Sequence, residues 1–260
     1  MLSDIIKGSC TYSKEAAPFI ALDEKVNPMK LLHIIAAPRE HESNTLRVTH
    51  AFLDGLKAKF PHLEVDEINL FTHNLPAVAG DNIDSKYTLV VGGPIDKQHK
   101  ESWEQIEGLI NHFLASDIYV ISAPMWNFGI PYALKYYIDA IIQPGYLYKY
   151  NEQGYPVPLT MGKKMVCFTS RGGDYSEQSP LHAYDFQEPY LRAIFGFVGI
   201  TDMQFINAQP MDITRELREM AVASAIEKAR SLVANFEWGA DPEALGTQNP
   251  AELKPSGSRP

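Results

Sequence analysis

Short apolar runs alternate with helix-period patterns through the middle of the chain. Leu31 to Ala36 is apolar, Thr45 to about Phe60 carries helical spacing, and Leu63 to Leu70 is apolar again, so the opening reads as a βαβ unit. The rhythm continues with a helix through Glu101 to Leu114, the run Ile118 to Ser122, a helix from about Pro131 to Ile142 and the run Lys164 to Ser170. A helix through Pro189 to Phe197, the run Met203 to Ala208 and a last helix from about Ile213 to Asn235 complete it. Ile106, Leu109, Ile110 and Phe113 recur at helical spacing, a stripe that faces either the core or a second subunit. Strands alternating with helices over short connections predict a five-stranded parallel sheet with helices on both faces, a three-layer α/β sandwich. Residues 1–29, a mixture of Ser, Pro, Glu and Lys, and 238–260, rich in Pro, Gly, Ala and Ser, break the rhythm and read as terminal extensions of a domain over 30–237.

Composition narrows the class. A chain of 260 residues that is 45% hydrophobic and 21% charged can bury one sizeable core. A net charge of -9 argues against nonspecific nucleic-acid binding, which needs basic patches. No apolar run approaches the roughly 20 residues of a membrane span, and the start of the chain lacks the pattern of a secretory leader, so a cytoplasmic protein is expected. Two cysteines, Cys10 and Cys167, make neither a disulfide framework nor a metal cluster, and Cys167 within Met165-Val166-Cys167-Phe168 reads as a buried structural thiol.

In parallel sheets of this kind, ligands sit beyond the carboxyl ends of the strands where strand order reverses. Three loops occupy that position. Ser43, Asn44 and Thr45 offer hydroxyls, an amide and backbone N–H groups at a helix start, where a phosphate is favoured; the alternative is an ordinary N-cap. Neither GxGxxG nor a Walker loop is present. The central loop, Pro124-Met125-Trp126-Asn127-Phe128-Gly129-Ile130-Pro131, places aromatic rings where a solvent loop is polar, which suits a flat conjugated ligand or, alternatively, packing on a neighbour. Its prolines limit its freedom, and Gly129 is expected to let the backbone approach a ligand. In Ser170-Arg171-Gly172-Gly173, paired glycines either aim N–H groups at an acceptor such as a flavin's pyrimidine edge or make a tight turn with positive φ. Phosphate, ring face and ring edge together describe one mononucleotide site.

These residues also carry a resemblance. With Leu31-Leu32-His33-Ile34, Ile68-Asn69-Leu70-Phe71, Leu134-Lys135 and Phe195-Gly196-Phe197-Val198-Gly199-Ile200-Thr201-Asp202, they make the chain from about Met29 to Asn235 resemble the FMN-dependent NADH-azoreductase family, within the flavodoxin-like NAD(P)H:quinone oxidoreductases. The resemblance implies a flavodoxin-like fold and FMN as cofactor, with the phosphate on Ser43, Asn44 and Thr45. It places Pro124, Met125, Trp126, Asn127 and Phe128 against the ring, and Ser170, Arg171, Gly172 and Gly173 at its edge. Two departures stand out: Ala37 replaces the family's usual Ser and removes a phosphate hydroxyl, and Trp126 replaces the more frequent Tyr.

The implied reaction is ping-pong transfer of two electrons from NADH or NADPH, through the flavin, to a quinone or azo compound. No protein nucleophile or metal is required. His33, His41 and His182 are expected to be structural or solvated. Tyr148, Tyr150, Tyr175 and Phe197 are candidates for lining the pocket of a small aromatic acceptor, and pocket aromatics shared between subunits imply a homodimer; packing alone is the other account of these rings. Arg39 and Arg171 are either contacts for a nicotinamide 2′-phosphate or solvated loop charges. The rival readings are a flavin-binding electron carrier and a non-catalytic flavodoxin-like binding protein; the apolar Trp126-Asn127-Phe128 loop and the aromatics around Tyr148 favour a substrate pocket over an exposed flavin edge.

Overall fold

A computed structural model describes residues 29–236 apart from 96 and 98; the expected extensions over 1–29 and 238–260 lie outside the described residues except for Met29. Five parallel strands form the sheet: β1 (Lys30–Ile35), β2 (Glu64–Asn69), β3 (Ile118–Ser122), β6 (Lys164–Ser170) and β7 (Asp202–Ala208), in the order β2-β1-β3-β6-β7. The main helices are α1 (Asn44–Lys59), α3 (Lys100–Leu114), α4 (Tyr132–Ile141), α5 (Glu188–Phe197) and α6 (Arg215–Ala234). This is the flavodoxin-like three-layer sandwich, and its elements fall within a residue or two of the sequence expectation.

The period-two geometry of a strand divides the sheet's side chains into two cores. Leu31, Ile118, Val120, Val166 and Phe168 point toward α1 and α6, whereas Leu32, Ile34, Tyr119, Ile121, Met165 and Cys167 point toward α3, α4 and α5. Every residue of β3 is buried, as a central strand covered on both faces requires. β2, an edge strand, carries Glu64, Asp66 and Glu67, charges that guard an unpaired edge. On α1, Gly55 lets Val233 of α6 approach to 3.2 Å of where a Cβ would stand. Ile106, Leu109, Ile110 and Phe113 of α3 are buried within this chain's own core, which decides that stripe for the core reading. Cys167 is a free, fully buried thiol whose pKa burial pushes well up, as expected of a structural cysteine.

Two features have no counterpart in the sequence expectation. Helix α2 (Asp81–Val90) packs against α3, although its Tyr-Thr-Leu-Val ending favours strands. A two-stranded antiparallel hairpin, β4 (Tyr148–Tyr150) with β5 (Pro156–Pro158), is too short to show alternation. Among the described residues, no helix is long and apolar enough to cross a membrane.

Candidate flavin site

The parallel order delivers the ends of β1, β3 and β6 to one edge of the sheet, and hydrogen bonds lock their loops together. Ala36 N donates to Ser122 O at 2.8 Å, Ala123 N to Phe168 O at 3.0 Å and Met125 N to Ser170 O at 2.8 Å. Across the first and third loops, the hydroxyls of Thr45 and Ser170 share a hydrogen bond of 2.7 Å. β1 is flanked by β2 on one side and β3 on the other, so the chain order reverses where α1 begins, the expected place for a ligand.

At the first loop Ser43 is the N-cap of α1, its Oγ accepting from Leu46 N at 3.3 Å. The Ser43 hydroxyl is therefore engaged by the helix and that of Thr45 by Ser170. The amides of Asn44 and Thr45 have no acceptor among the described residues and stand at the positive end of α1, a position that favours an anion; Ser43 Oγ, an acceptor toward the helix, keeps its own proton to donate. Beneath this loop a buried relay ties Thr49 to Ser122 at 2.7 Å, Ser122 to His33 Nε2 at 2.8 Å and His33 Nδ1 to Glu67 at 3.1 Å. His33 is thus structural; His41 is exposed, and the ring of the exposed His182 bonds to the Tyr175 carbonyl.

The central loop folds into a tight turn in which Trp126 and Gly129 exchange backbone hydrogen bonds of 3.0 and 2.9 Å. Its two middle residues take positive φ, Asn127 at 48° and Phe128 at 70°. The positive φ thus falls on Asn127 and Phe128; Gly129 has none, and a Cβ there would meet no described protein atom nearer than Trp126 O at 3.9 Å. Strained backbone at a ligand-facing loop persists only when its surroundings over-determine it. The turn splays the two rings apart. Trp126 joins Phe71 and Tyr132, with centroids 5.9 and 6.2 Å away, while Phe128 lies 5.4 Å from Tyr184 and 6.5 Å from Tyr175.

In the third loop neither Gly172 nor Gly173 has positive φ, which removes the positive-φ turn as the reason for the pair. A Cβ on Gly172 would sit 2.6 Å from the Asp212 carboxylate, and one on Gly173 2.7 Å from Leu181. The amides of Gly172, Gly173 and Asp174 find no acceptor among the described residues. The Arg171 side chain turns inward and is 1% exposed; Nη1 donates to Asp185 at 2.8 Å, Nε donates to Thr169 Oγ1 at 3.0 Å and Nη2 lies 3.7 Å from Glu188. Burial lowers its pKa while Asp185 and Glu188 oppose that shift. Arg171 is accordingly neither a solvated loop charge nor a contact for a nicotinamide phosphate; Arg39 is exposed and pairs with Glu42.

A family model described as "Flavodoxin-like fold" matches residues 29–233. An FMN-dependent NADH:quinone oxidoreductase of Nitratidesulfovibrio vulgaris is 34% identical over 207 residues, 79% of this chain and 99% of that protein. One from Nostoc punctiforme is 36% identical over 211 residues, 80% of this chain and 100% of that protein. The chain belongs to the family of FMN-dependent NADH:quinone oxidoreductases and azoreductases. Among solved members, an azoreductase from Bacillus anthracis superposes with a TM-score of 0.72 at 28% identity, covering 80% of this chain and 100% of its own. An FMN-dependent NADH-azoreductase of the same species, crystallised with FMN, gives 0.69 at 27% identity over 79% of this chain and 99% of its own.

In this azoreductase-family chain the four candidate pocket aromatics do not converge within one subunit. Tyr175 stands beside Phe128 at the flavin loops. Tyr148, Tyr150 and Phe197 form a separate cluster, with Tyr148 4.8 Å from Phe197 and 5.6 Å from Tyr150. Both α4 and α5 start at the strand-end loops of the candidate site and run away from them for 10 residues, roughly 15 Å. Phe197 ends α5, and Tyr148 follows α4 after a short turn, so this cluster lies at the opposite end of the sheet. The grouping missed from sequence is Tyr184 and Phe186, both exposed near Phe128, together with Phe71 and Tyr132 beside Trp126. Their one sequence signal is aromatic density, with Phe71, Tyr184 and Phe186 outside the periodic elements and Tyr132 at the first residue of α4.

Proposed function

We propose that the chain is an FMN-dependent oxidoreductase that carries two electrons from NADH or NADPH to quinones or azo compounds by ping-pong exchange, in the cytoplasm, as a homodimer. One observation carries the reading: three loops interlock at the strand ends, and the first and third carry backbone N–H groups with no acceptor among the described residues, in the order a mononucleotide needs. The amides of Asn44 and Thr45 are placed for the phosphate, and Pro124, Met125, Trp126, Asn127 and Phe128 for the ring face. Ser170 and the amides of Gly172 and Gly173 are placed for the ring edge, where donors stabilise the negative charge of the reduced cofactor. Arg171 contributes through its backbone. When bound, FMN supplies a ring nitrogen that accepts hydride from the nicotinamide and returns two electrons to the next substrate.

Phe128, Tyr175, Tyr184 and Phe186 give a planar acceptor an apolar wall. Tyr148, Tyr150 and Phe197 lie apart from this chain's own Phe128–Tyr175 group, so they line an acceptor pocket only where a second copy brings them to its site, which is the homodimer proposed. The test is a visible spectrum of the purified full chain, followed by NADH or NADPH and then benzoquinone in one cuvette. Flavin bands that bleach with nicotinamide and return with quinone support the reading. Flavin bands that no nicotinamide bleaches would make the chain a carrier or binding protein, and a colourless protein that takes up no FMN would overturn the cofactor assignment.

A further inference from the structure

Resting on that flavin reading, we infer that Gln187 is a positioning residue that clasps the ring-face loop to the ring-edge turn. Gln187 is fully buried, and both hydrogens of its side-chain amide are used: Nε2 donates to Ala123 O at 3.1 Å and to Pro124 O at 3.2 Å. Those two carbonyls stand where β3 ends and the flavin loop begins. Its neighbour grips the other end of the same loop, Phe186 N donating to Phe128 O at 3.0 Å, on the residue whose φ is 70°. The preceding residue completes the clasp. Asp185 accepts from Gln187 N at 3.0 Å through Oδ1 and from Arg171 Nη1 at 2.8 Å through Oδ2. Three consecutive residues thus hold the start of the central loop, its strained tip and the Ser170-Arg171-Gly172 turn in one fixed relation.

The chemistry of the side chain singles out this role. Gln187 Oε1 is buried with no partner among the described residues, which is costly for an interior acceptor. A leucine or methionine would fill the space without that orphan, but neither donates to two carbonyls. The clasp keeps Asn127 and Phe128 in a conformation they would otherwise leave, and with it the spacing between ring face and ring edge that a preorganised site requires.

The molecule contains its own control. Gln143, past the far end of α4, is equally buried, donates from Nε2 to Asp139 O at 2.7 Å and Ala140 O at 3.2 Å, and also leaves Oε1 unpaired. Gln187→Met and Gln143→Met therefore remove the same bonds, one at the site and one away from it. In the full chain, FMN titration by fluorescence quenching is expected to show at least a tenfold loss of affinity for Gln187→Met and a changed visible circular dichroism of the bound flavin. Gln143→Met should stay within twofold with an unchanged spectrum. Hydrogen exchange without FMN should be faster over residues 123–131 in Gln187→Met alone. Should Gln187→Met not fold, Gln187→Asn, which keeps the amide but shortens its reach, is held to the same criteria. Unchanged exchange over 123–131, or wild-type FMN affinity and dichroism, overturns the inference. Wild-type protein that binds no FMN while exchange still separates the two variants would defeat the flavin reading and leave the clasp standing.

Discussion

Asp185→Ala removes three hydrogen bonds from one buried carboxylate, and their partners set the magnitude. Oδ1 accepts from the backbone N–H groups of Gln187 and Glu188 at 3.0 and 3.1 Å, a cap on the start of α5 worth about 1 kcal/mol. Oδ2 accepts from Arg171, and the two side chains are 1% and 7% exposed, so truncation strands a guanidinium with little water to replace its partner. Breaking a buried pair from one side costs about 3–5 kcal/mol. Glu188, 3.7 Å from Nη2, remains as a second counter-charge and keeps this part near the lower bound. The expected total is about 4 kcal/mol. Asp185→Asn keeps the shape and an acceptor for the cap and should lose about half as much. Urea unfolding without added FMN, so that ligand linkage does not enter, should show a lower midpoint at unchanged slope. High salt should barely narrow the difference, because a buried pair is poorly screened. A loss under about 1 kcal/mol, the range of an exposed pair, would refute the burial argument, and so would a loss that high salt abolishes.

The strained turn predicts an inversion of the usual Gly–Ala order: Phe128→Gly should be more stable than Phe128→Ala by about 1 kcal/mol, since both lose the ring and only alanine pays for a φ of 70°. Thermal or urea denaturation of the two variants decides it; alanine equal to or above glycine would rule out strain at this position. Burial holds the pKa of His33 below its ordinary 6.5 against the opposing effect of Glu67, while the hydrogen bond from His33 holds Glu67 below its ordinary 4.5. The unfolded chain then binds a proton at His33 that the native state refuses, so stability should fall as pH drops below about 6.5, and the Glu67 contribution should be lost as pH falls further, through its native pKa below about 4.5. His33→Gln should flatten the dependence of unfolding free energy between pH 7 and pH 5.5; equal slopes in the two proteins would remove His33 as the cause.

Periodicity is local, and whatever depended on it was legible in the chain: the five strand runs, five of the helices, the buried stripe of α3 and Cys167, together with the three loops at strand ends. Motif chemistry at those loops identified the family and its cofactor class. Short or propensity-defying pieces were not legible, because α2 and the β4–β5 hairpin owe their state to what they pack against. The site's internal economy was equally hidden. That the Gly172-Gly173 pair takes no positive φ, and that Asp212 and Leu181 lie against it, is visible only in the folded chain. Arg171 turned inward because Asp185 waits there, and Gln187 carries no local signal until α5 is laid against the end of β3. The sequence by itself determined the five sheet strands, the five periodic helices and the position of three motif-bearing loops at strand ends, since apolar spacing and turn residues act over a few positions. Tertiary structure alone decided that Arg171 turns inward, that Gln187 bonds to the end of β3, and that Tyr148, Tyr150 and Phe197 cluster away from Phe128, because those outcomes depend on contacts between segments tens of residues apart.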